Sequence, residues 1–471
     1  KRMAKQSWKI PHTLVILFSM VVLAQLLTYL IPAGSYERVE TSDGRLQVIP
    51  GSFHLTPDVP ALSPFASLTA LPKGFSGAHE IIFFVLIIGG AFAVIRSTGA
   101  LEAGIGALLR RWSHRPVWLI AGGTVICAFG ASTVGFGEEL FPFVPILVAL
   151  CLALGFDRLT AIAIVMVGYG IGYCAATINP FTVLIAQDIA QLEAASGLWY
   201  RILLFLVLVP VGIHHVWSYA RGVKREPSMS LVVDVQAPDS ATVPDLKATE
   251  ALVDLPPMTG TQVSVLAAFG VSMIVLVAGM TWWQWGLDEM QGLFAGLTLV
   301  VIMVARINPD RAATEFSLGA ASLTSVALLI GVARAIQVVL QEGGVVDTLV
   351  HGISMPIKDL SPTIAAIGMF VVQTVMNFFI PSGSGQAFVT MPVMTPLADV
   401  IGVSRQVAVL AFQLGDGLSN ILIPTNYVLI GILAMAGVPY DRWVRFVMPL
   451  LAKMAVLGSL ALVVAVVTGY R

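Results

Sequence analysis

Apolar residues run along this chain in blocks about 20 residues long, the length a helix needs to cross a bilayer. Nothing in the blocks alternates with a period of two, so they read as helices rather than barrel strands. Continuous blocks at 11–31, 79–97, 199–218, 261–283, 290–305, 317–340 and 446–468 are each read as a membrane-crossing helix. Two more, 159–188 and 406–436, are interrupted by Pro180 and Pro424. A proline gives up its amide donor and pushes the preceding residue out of helical geometry, so each reads as two half-helices joined by open backbone. The expected fold is an all-α polytopic membrane protein.

Charge adds orientation. Lys and Arg gather at 1–9, at Arg96 with Arg110, Arg111 and Arg115, at Arg221, Lys224 and Arg225, at Arg306 and Arg311, and at Arg442 and Arg445. The positive-inside rule places these segments, and the N-terminus, on the cytoplasmic side of a bacterial inner membrane. The first apolar block is read as a retained span, since IPAGSYER after it carries no small-residue cleavage site. Residues 116–155 lie between two basic clusters yet are too apolar for a loop, so they are expected to enter the membrane and return. Legs at 116–131 and 140–154 flank the tip ASTVGFGEE, and 361–402 repeats the shape around IPSGSGQA. Irregular backbone at that depth is tolerated only when buried in protein. Residues 32–78 read as an external loop with a small hairpin around SDGR, and 222–258 as a polar cytoplasmic linker.

The linker divides a first half, 1–221, from a second, 259–471, and the halves resemble each other. At an offset of 247, Pro145 meets Pro392, Gly155 meets Gly402, Arg158 meets Arg405, Gly168 meets Gly415, Gly170 meets Gly417 and Asn179 meets Asn426. Amphipathic stretches also recur, with Leu101, Ile105, Leu108, Leu109 and Trp112 in one half and Val346, Leu349, Val350 and Ile353 in the other. One hairpin opens to the cytoplasm and the other outward, so the repeats are expected to have inverted topology. Inverted repeats with discontinuous helices are the architecture of secondary transporters, with substrate near the midplane.

Composition agrees and excludes other classes. Hydrophobic residues make up 57% and charged ones 11%, with a mean hydropathy of +0.88, where soluble domains carry about a quarter charged residues. A net charge of −1 without a basic face gives no reason to expect nucleic acid. Cys127, Cys151 and Cys174 lack CxxC spacing and are read as packing residues, and His214 and His215 are adjacent rather than four apart, which does not suit metal. GYGIGY at 168–173 follows no strand and is read as helix packing. LGDG with Tyr440 and Asp441 has the wrong order for an intramembrane aspartyl protease.

Chemistry concentrates at the tips and the breaks. The first tip carries Ser132, Thr133, Gly137, Glu138 and Glu139. Two carboxyls near the bilayer interior need a reason, since an unpaired charge there costs at least about 2.5 kcal/mol. They suit a substrate ammonium or guanidinium, a carried proton, or an internal Arg. The second tip, Ser382, Gly383, Ser384 and Gln386, is neutral and amide-rich, which suits a carboxylate. The breaks offer Thr177 and Asn179 in one copy and Ser419, Asn420, Thr425 and Asn426 in the other. Free carbonyls beside Thr177, Asn179, Thr425 and Asn426 suit a coupling Na+, with H+ the other option. Arg334 and Asp416 lie in mid-span and are read either as a buried ion pair or as substrate groups; Arg96, Arg158, Arg201 and Arg405 lie at span ends, where snorkelling explains them.

The stretches GFGEELFPFVPILVALCLALGFDRLTAIAIVMVGYGIGYCAATINPF and IPSGSGQAFVTMPVMTPLADVIGVSRQ resemble the YfcC-like branch of the anaerobic four-carbon dicarboxylate carrier (DcuC-type) family, in the ion transporter superfamily. The resemblance covers most of the chain. It implies a homodimer in the lipid bilayer, with a scaffold domain and a moving, elevator-type transport domain that carries both hairpins; no cofactor is expected beyond a possible coupling ion. Members are described as dicarboxylate carriers or as basic amino-acid exchangers. Glu138 and Glu139 favour a basic or zwitterionic amino acid, because a dianion beside two carboxylates meets like-charge repulsion. A dicarboxylate remains the alternative cargo, and a channel or an intramembrane enzyme are the rival classes.

Overall fold

Eighteen α-helices occupy the described part of the computed structural model, which comprises residues 13–40, 46–49, 51–101, 103, 104, 107, 116–235, 258–283 and 285–470. In the first half these are α1 (Thr13–Leu30), α2 (Ala66–Gly77), α3 (His79–Ser97), α4 (Pro116–Thr133), α5 (Phe143–Ala153), α6 (Arg158–Cys174), α7 (Val183–Ile189) and α8 (Leu198–Arg225). The second half holds α9 (Gly260–Trp282), α10 (Leu287–Ala305), α11 (Pro309–Ser322), α12 (Thr324–Glu342), α13 (Val346–Ser354), α14 (Pro362–Phe379), α15 (Gly383–Ile401), α16 (Arg405–Asn420), α17 (Tyr427–Met435) and α18 (Tyr440–Val467). Six of them, α3, α8, α10, α12, α14 and α18, are long and apolar enough to cross a membrane. The chain is a multi-pass membrane protein.

The expected helices are present with two differences. The block read as one helix over 317–340 breaks at Leu323, which separates α11 from α12. Ser322 Oγ turns back to the Gly319 carbonyl at 2.7 Å, competing with the helical ladder there. Within the stretch read as loop, 66–77 forms α2. Its first turn is capped from another helix, since Ser67 N donates to Gln25 Oε1 of α1 at 2.8 Å. The basic N-terminus, Arg110, Arg111, Arg115, Ile105, Leu108, Leu109, Trp112, the tip of the SDGR hairpin and the linker core 236–257 lie outside the described residues.

A helix start recurs at the sequence offset: Arg158 and Arg405 begin α6 and α16. Packing partners recur as well: α2 lies along α12 and α3 along α11, α4 packs on α6 as α14 does on α16, and α6 meets α16.

Two arginines tie the halves reciprocally. Arg158 donates to the carbonyls of Ala436 (3.2 Å) and Gly437 (3.1 Å) at the end of α17, and to Val235 at 2.7 Å. Its counterpart Arg405 donates to the Ala190 carbonyl at the end of α7 at 2.9 Å, and also pairs with Asp399 at 2.7 Å. A guanidinium at a helix C-terminus meets both the free carbonyls and the negative end of the dipole. Capping, rather than snorkelling, explains both residues, and Arg201 is also interior, at 1% exposure.

Outside the helices, β1 (Gly34–Ser35) pairs antiparallel with β4 (His54–Leu55), and β2 (Arg38–Glu40) with β3 (Leu46–Val48) around the SDGR tip. This strap is pinned to α13. Arg38 grips Asp347 through both carboxylate oxygens at 2.8 Å, and Tyr36 N donates to the same carboxylate at 2.9 Å. Burial and the adjacent Asp347 push the Tyr36 phenol up to about 12, and its oxygen lies within hydrogen-bond distance of His351 Nδ1, at 3.2 Å.

Candidate ligand-binding site

Both hairpin tips and both helix breaks open onto one cavity of about 270 Å³. Its first wall is the tip between α4 and α5, with Gly135, Gly137, Glu138 and Glu139. Gly135 takes φ +88, a left-handed turn that a side chain would strain, and it redirects the chain into the short 3₁₀ turn Glu138–Leu140. Glu139 folds back to accept Gly137 N at 2.6 Å. Glu138 accepts the phenol of Tyr427, the first residue of α17.

Opposite stands the α14–α15 tip, with Pro381, Ser382, Gly383 and Ser384. Ser382 caps α15, its Oγ accepting Gly385 N at 3.3 Å. The first-turn amides of Gly383 and Ser384 have no acceptor within the helix and carry its positive partial charge. Asn420, Asn426 and Val428 complete the lining from the second break.

Ser132, Thr133, Thr177, Asn179, Gln386 and Thr425, also singled out from the sequence, frame this cavity rather than line it. Ser132 Oγ donates to the Ala175 carbonyl at 2.9 Å and Thr177 N returns to Ser132 Oγ at 3.0 Å. Asn179 Nδ2 donates to the Ala131 carbonyl at 2.8 Å, locking the first leg to the first break. The second copy has the corresponding tie, Thr425 Oγ1 to the Phe378 carbonyl at 3.0 Å. Thr133 bonds back to Phe129 of its own helix at 2.7 Å. Gln386 joins the two legs of its hairpin through Gln373 Oε1 at 2.6 Å. Asn426 caps α17 by accepting Leu429 N at 3.1 Å, and donates to Asn420 Oδ1 at 3.0 Å.

The buried ion pair considered for Arg334 and Asp416 is absent. Arg334 bonds Gln337 one turn along α12 and reaches toward Gly77 of α2. The Asp416 carboxylate, at 1% exposure, faces another way, toward Gly383.

Sequence reasoning missed the aromatic share of the lining: Tyr169, Tyr173, Phe181, Trp285 and Tyr427. Tyr169 and Tyr173 are one helical turn apart, with ring centroids at 4.6 Å. They are the tyrosines of GYGIGY, whose glycines do pack, Gly168 and Gly172 lying against α4. The i, i+4 spacing of the tyrosines was the available signal. Trp285, Gly286, Leu287 and Met290 bring in a fourth side from the start of α10.

The sequence profile of the DcuC family, described as C4-dicarboxylate anaerobic carrier, matches residues 10–467. YfcC of Escherichia coli (strain K12), provisionally named a basic amino acid antiporter, is 32% identical, with the match covering 98% of each chain. An uncharacterized protein of Haemophilus influenzae is 28% identical, also over 98% of each chain. Among solved structures the chain is similar to the Alcanivorax borkumensis YdaH transporter, with a TM-score of 0.43 and 14% identity over 98% of this chain and 99% of that one. It is similar as well to Neisseria gonorrhoeae MtrF, described with a class of antimetabolite efflux pumps, at TM-score 0.44 and 16% identity over 98% and 96% of the two chains. Matched almost end to end, the chain belongs to the DcuC family of membrane transporters, alongside its YfcC-like members.

Proposed function

We propose that this protein is a secondary transporter of the inner membrane that carries a small basic or zwitterionic amino acid by alternating access. The observation that supports this most directly is the division of the cavity into two chemically opposite walls. Glu138 and Glu139 stand among the rings of Tyr169, Tyr173, Phe181, Trp285 and Tyr427, while Ser382, Gly383 and Ser384 present neutral amides. Carboxylates beside aromatic faces suit an ammonium or guanidinium. Helix-start amides suit a carboxylate. At about 270 Å³ the space is that of a small metabolite.

In this reading the halves 1–221 and 259–471 are inverted repeats joined by the 222–258 linker, with the N-terminus cytoplasmic. The hairpins and broken helices form a moving domain within a homodimer, and α10 supplies the fixed wall. Exchange, or coupling to Na+ or H+, drives the cycle.

The test is counterflow of labelled arginine in proteoliposomes. Losing a charge-assisted bond of about 1.5–3 kcal/mol predicts that Glu138→Gln weakens arginine affinity by about 10- to 100-fold. Unchanged affinity refutes the assignment of the acidic wall. A dicarboxylate is the second reading, favoured by the family's description; saturable succinate uptake with arginine ignored would establish it in place of the first.

A further inference from the structure

We propose that the start of α8 and the buried guanidinium of Arg201 together form a binding site for a compact inorganic anion, chloride in the first instance. The site lies at the opposite end of α8 from the linker, apart from the cavity between the hairpin tips.

Arg201 is 1% exposed, and its Nε and Nη2 are buried without a hydrogen-bond partner. It forms no ion pair among the described residues. The acids of the neighbouring segments are engaged elsewhere: Asp188 and Glu193 are exposed, and Asp399 is held by Arg405 at 2.7 Å. A buried charge without a counter-charge destabilises the fold. A guanidinium keeps its proton in proteins, so the side chain cannot escape that cost by becoming neutral.

The helix start is a second, independent source of positive charge. α8 runs for 28 residues after Gly197, which takes φ +66 and offers no side chain as a cap, and its first turn contains no acid. The amides of Leu198 and Trp199 therefore have no acceptor within the helix and carry the positive end of its dipole.

Tyr470 brings the two together. Its phenol donates to the Gly197 carbonyl at 2.7 Å, so closely that a Cβ on Gly197 would collide with the same oxygen. Arg201 shares that phenol. A helical side chain leans toward the N-terminus of its own helix, so from one turn inside α8 the guanidinium is carried toward the free amides.

The surroundings are held in place. Gln187 donates to the Ser196 carbonyl at 2.8 Å and accepts Ala195 N at 3.0 Å, which fixes the loop entering α8. Ser404 Oγ donates to the Tyr470 carbonyl at 2.6 Å, and the rings of Tyr200 and Tyr470 pack with centroids 4.6 Å apart. Fixed donors converging without an acceptor of opposite charge call for an anion. Burial of Arg201 to 1% exposure admits a compact ion and shuts out a phospholipid headgroup. A filled site would fasten the start of α8 to the chain just past α18 and, through Ser404, to the start of α16.

The test is thermal unfolding of the purified full-length protein in detergent, without substrate, titrated with NaCl against sodium gluconate at constant ionic strength. Wild type is expected to show a saturable, chloride-specific rise in Tm. Arg201→Lys should need about 10-fold more chloride, because an ammonium lacks the fork. Arg201→Met should lose the response while its Tm in gluconate is at least that of wild type, since the unpaired buried charge is gone. Absence of a chloride-specific rise in wild type overturns the site, whether or not the variants fold, and so does an unaltered rise in Arg201→Met. A rise produced by added phosphatidylglycerol and not by chloride assigns Arg201 to a lipid phosphate and overturns the compact-ion site equally. The measurement is independent of which cargo is carried.

Discussion

Replacing Gly417 with alanine probes how tightly the two broken helices are held together. The added methyl would stand 2.1 Å from Cys174 N and 2.5 Å from the carbonyl carbon of Tyr173. Both contacts are backbone in the last turn of α6, so no rotamer change relieves them. The two helices have to part by roughly 1 Å to restore ordinary packing, in an interior as dense as an organic crystal. Overpacking of this kind costs about 1–3 kcal/mol, against up to about 1 kcal/mol gained from replacing glycine in a helix. A matched control isolates the contact: a Cβ on Gly122 of α4 meets nothing within 4 Å. Gly417→Ala is therefore expected to lower Tm by several degrees in detergent and to reduce transport, while Gly122→Ala leaves Tm level or higher. Equal Tm values for the two variants would refute the reasoning, because the same chemical change would then be indifferent to the contact.

Arg158→Ala leaves the carbonyls of Ala436, Gly437 and Val235 without their donor and should destabilise by about 2–4 kcal/mol, visible in chemical denaturation. Arg158→Lys should recover little, since an ammonium cannot reproduce the forked geometry. Arg38→Ala strands the buried Asp347 carboxylate, and faster proteolysis of the 34–55 strap with little change elsewhere is the expected readout. Tyr427→Phe removes the phenol that Glu138 accepts; arginine affinity should change by about 3- to 10-fold in counterflow, whereas wild-type affinity would show that this bond does not position the carboxylate.

The hairpin legs and broken helices were legible because local chemistry specifies them. Pro180 and Pro424 open the ladder, and glycine-serine tips punctuate long apolar runs. α2 was not legible, because its first turn is capped by Gln25 on a different helix. The break at Leu323 depends on one serine hydroxyl choosing a carbonyl, and no proline or glycine marks it. At the site, charged and neutral tip residues announced themselves, while Tyr169 and Tyr173 were hidden in a motif whose glycines drew the reading toward packing. Thr182 was hidden differently: it is an ordinary polar residue in an apolar run, and it lines the cavity only because Gly383 of the second hairpin lies against it.

The reciprocal caps also set an order of assembly. Arg158 must wait for acceptors 278 and 279 residues downstream, on the order of tens of seconds at ordinary rates of synthesis. Arg405 meets no such delay, since Ala190 precedes it. During translation the first half therefore stands in the membrane with a finished acceptor and a guanidinium whose only early partner is the Val235 carbonyl, and the second half completes both ties on arrival. Degradation of truncated chains should fall sharply once residue 437 has been made.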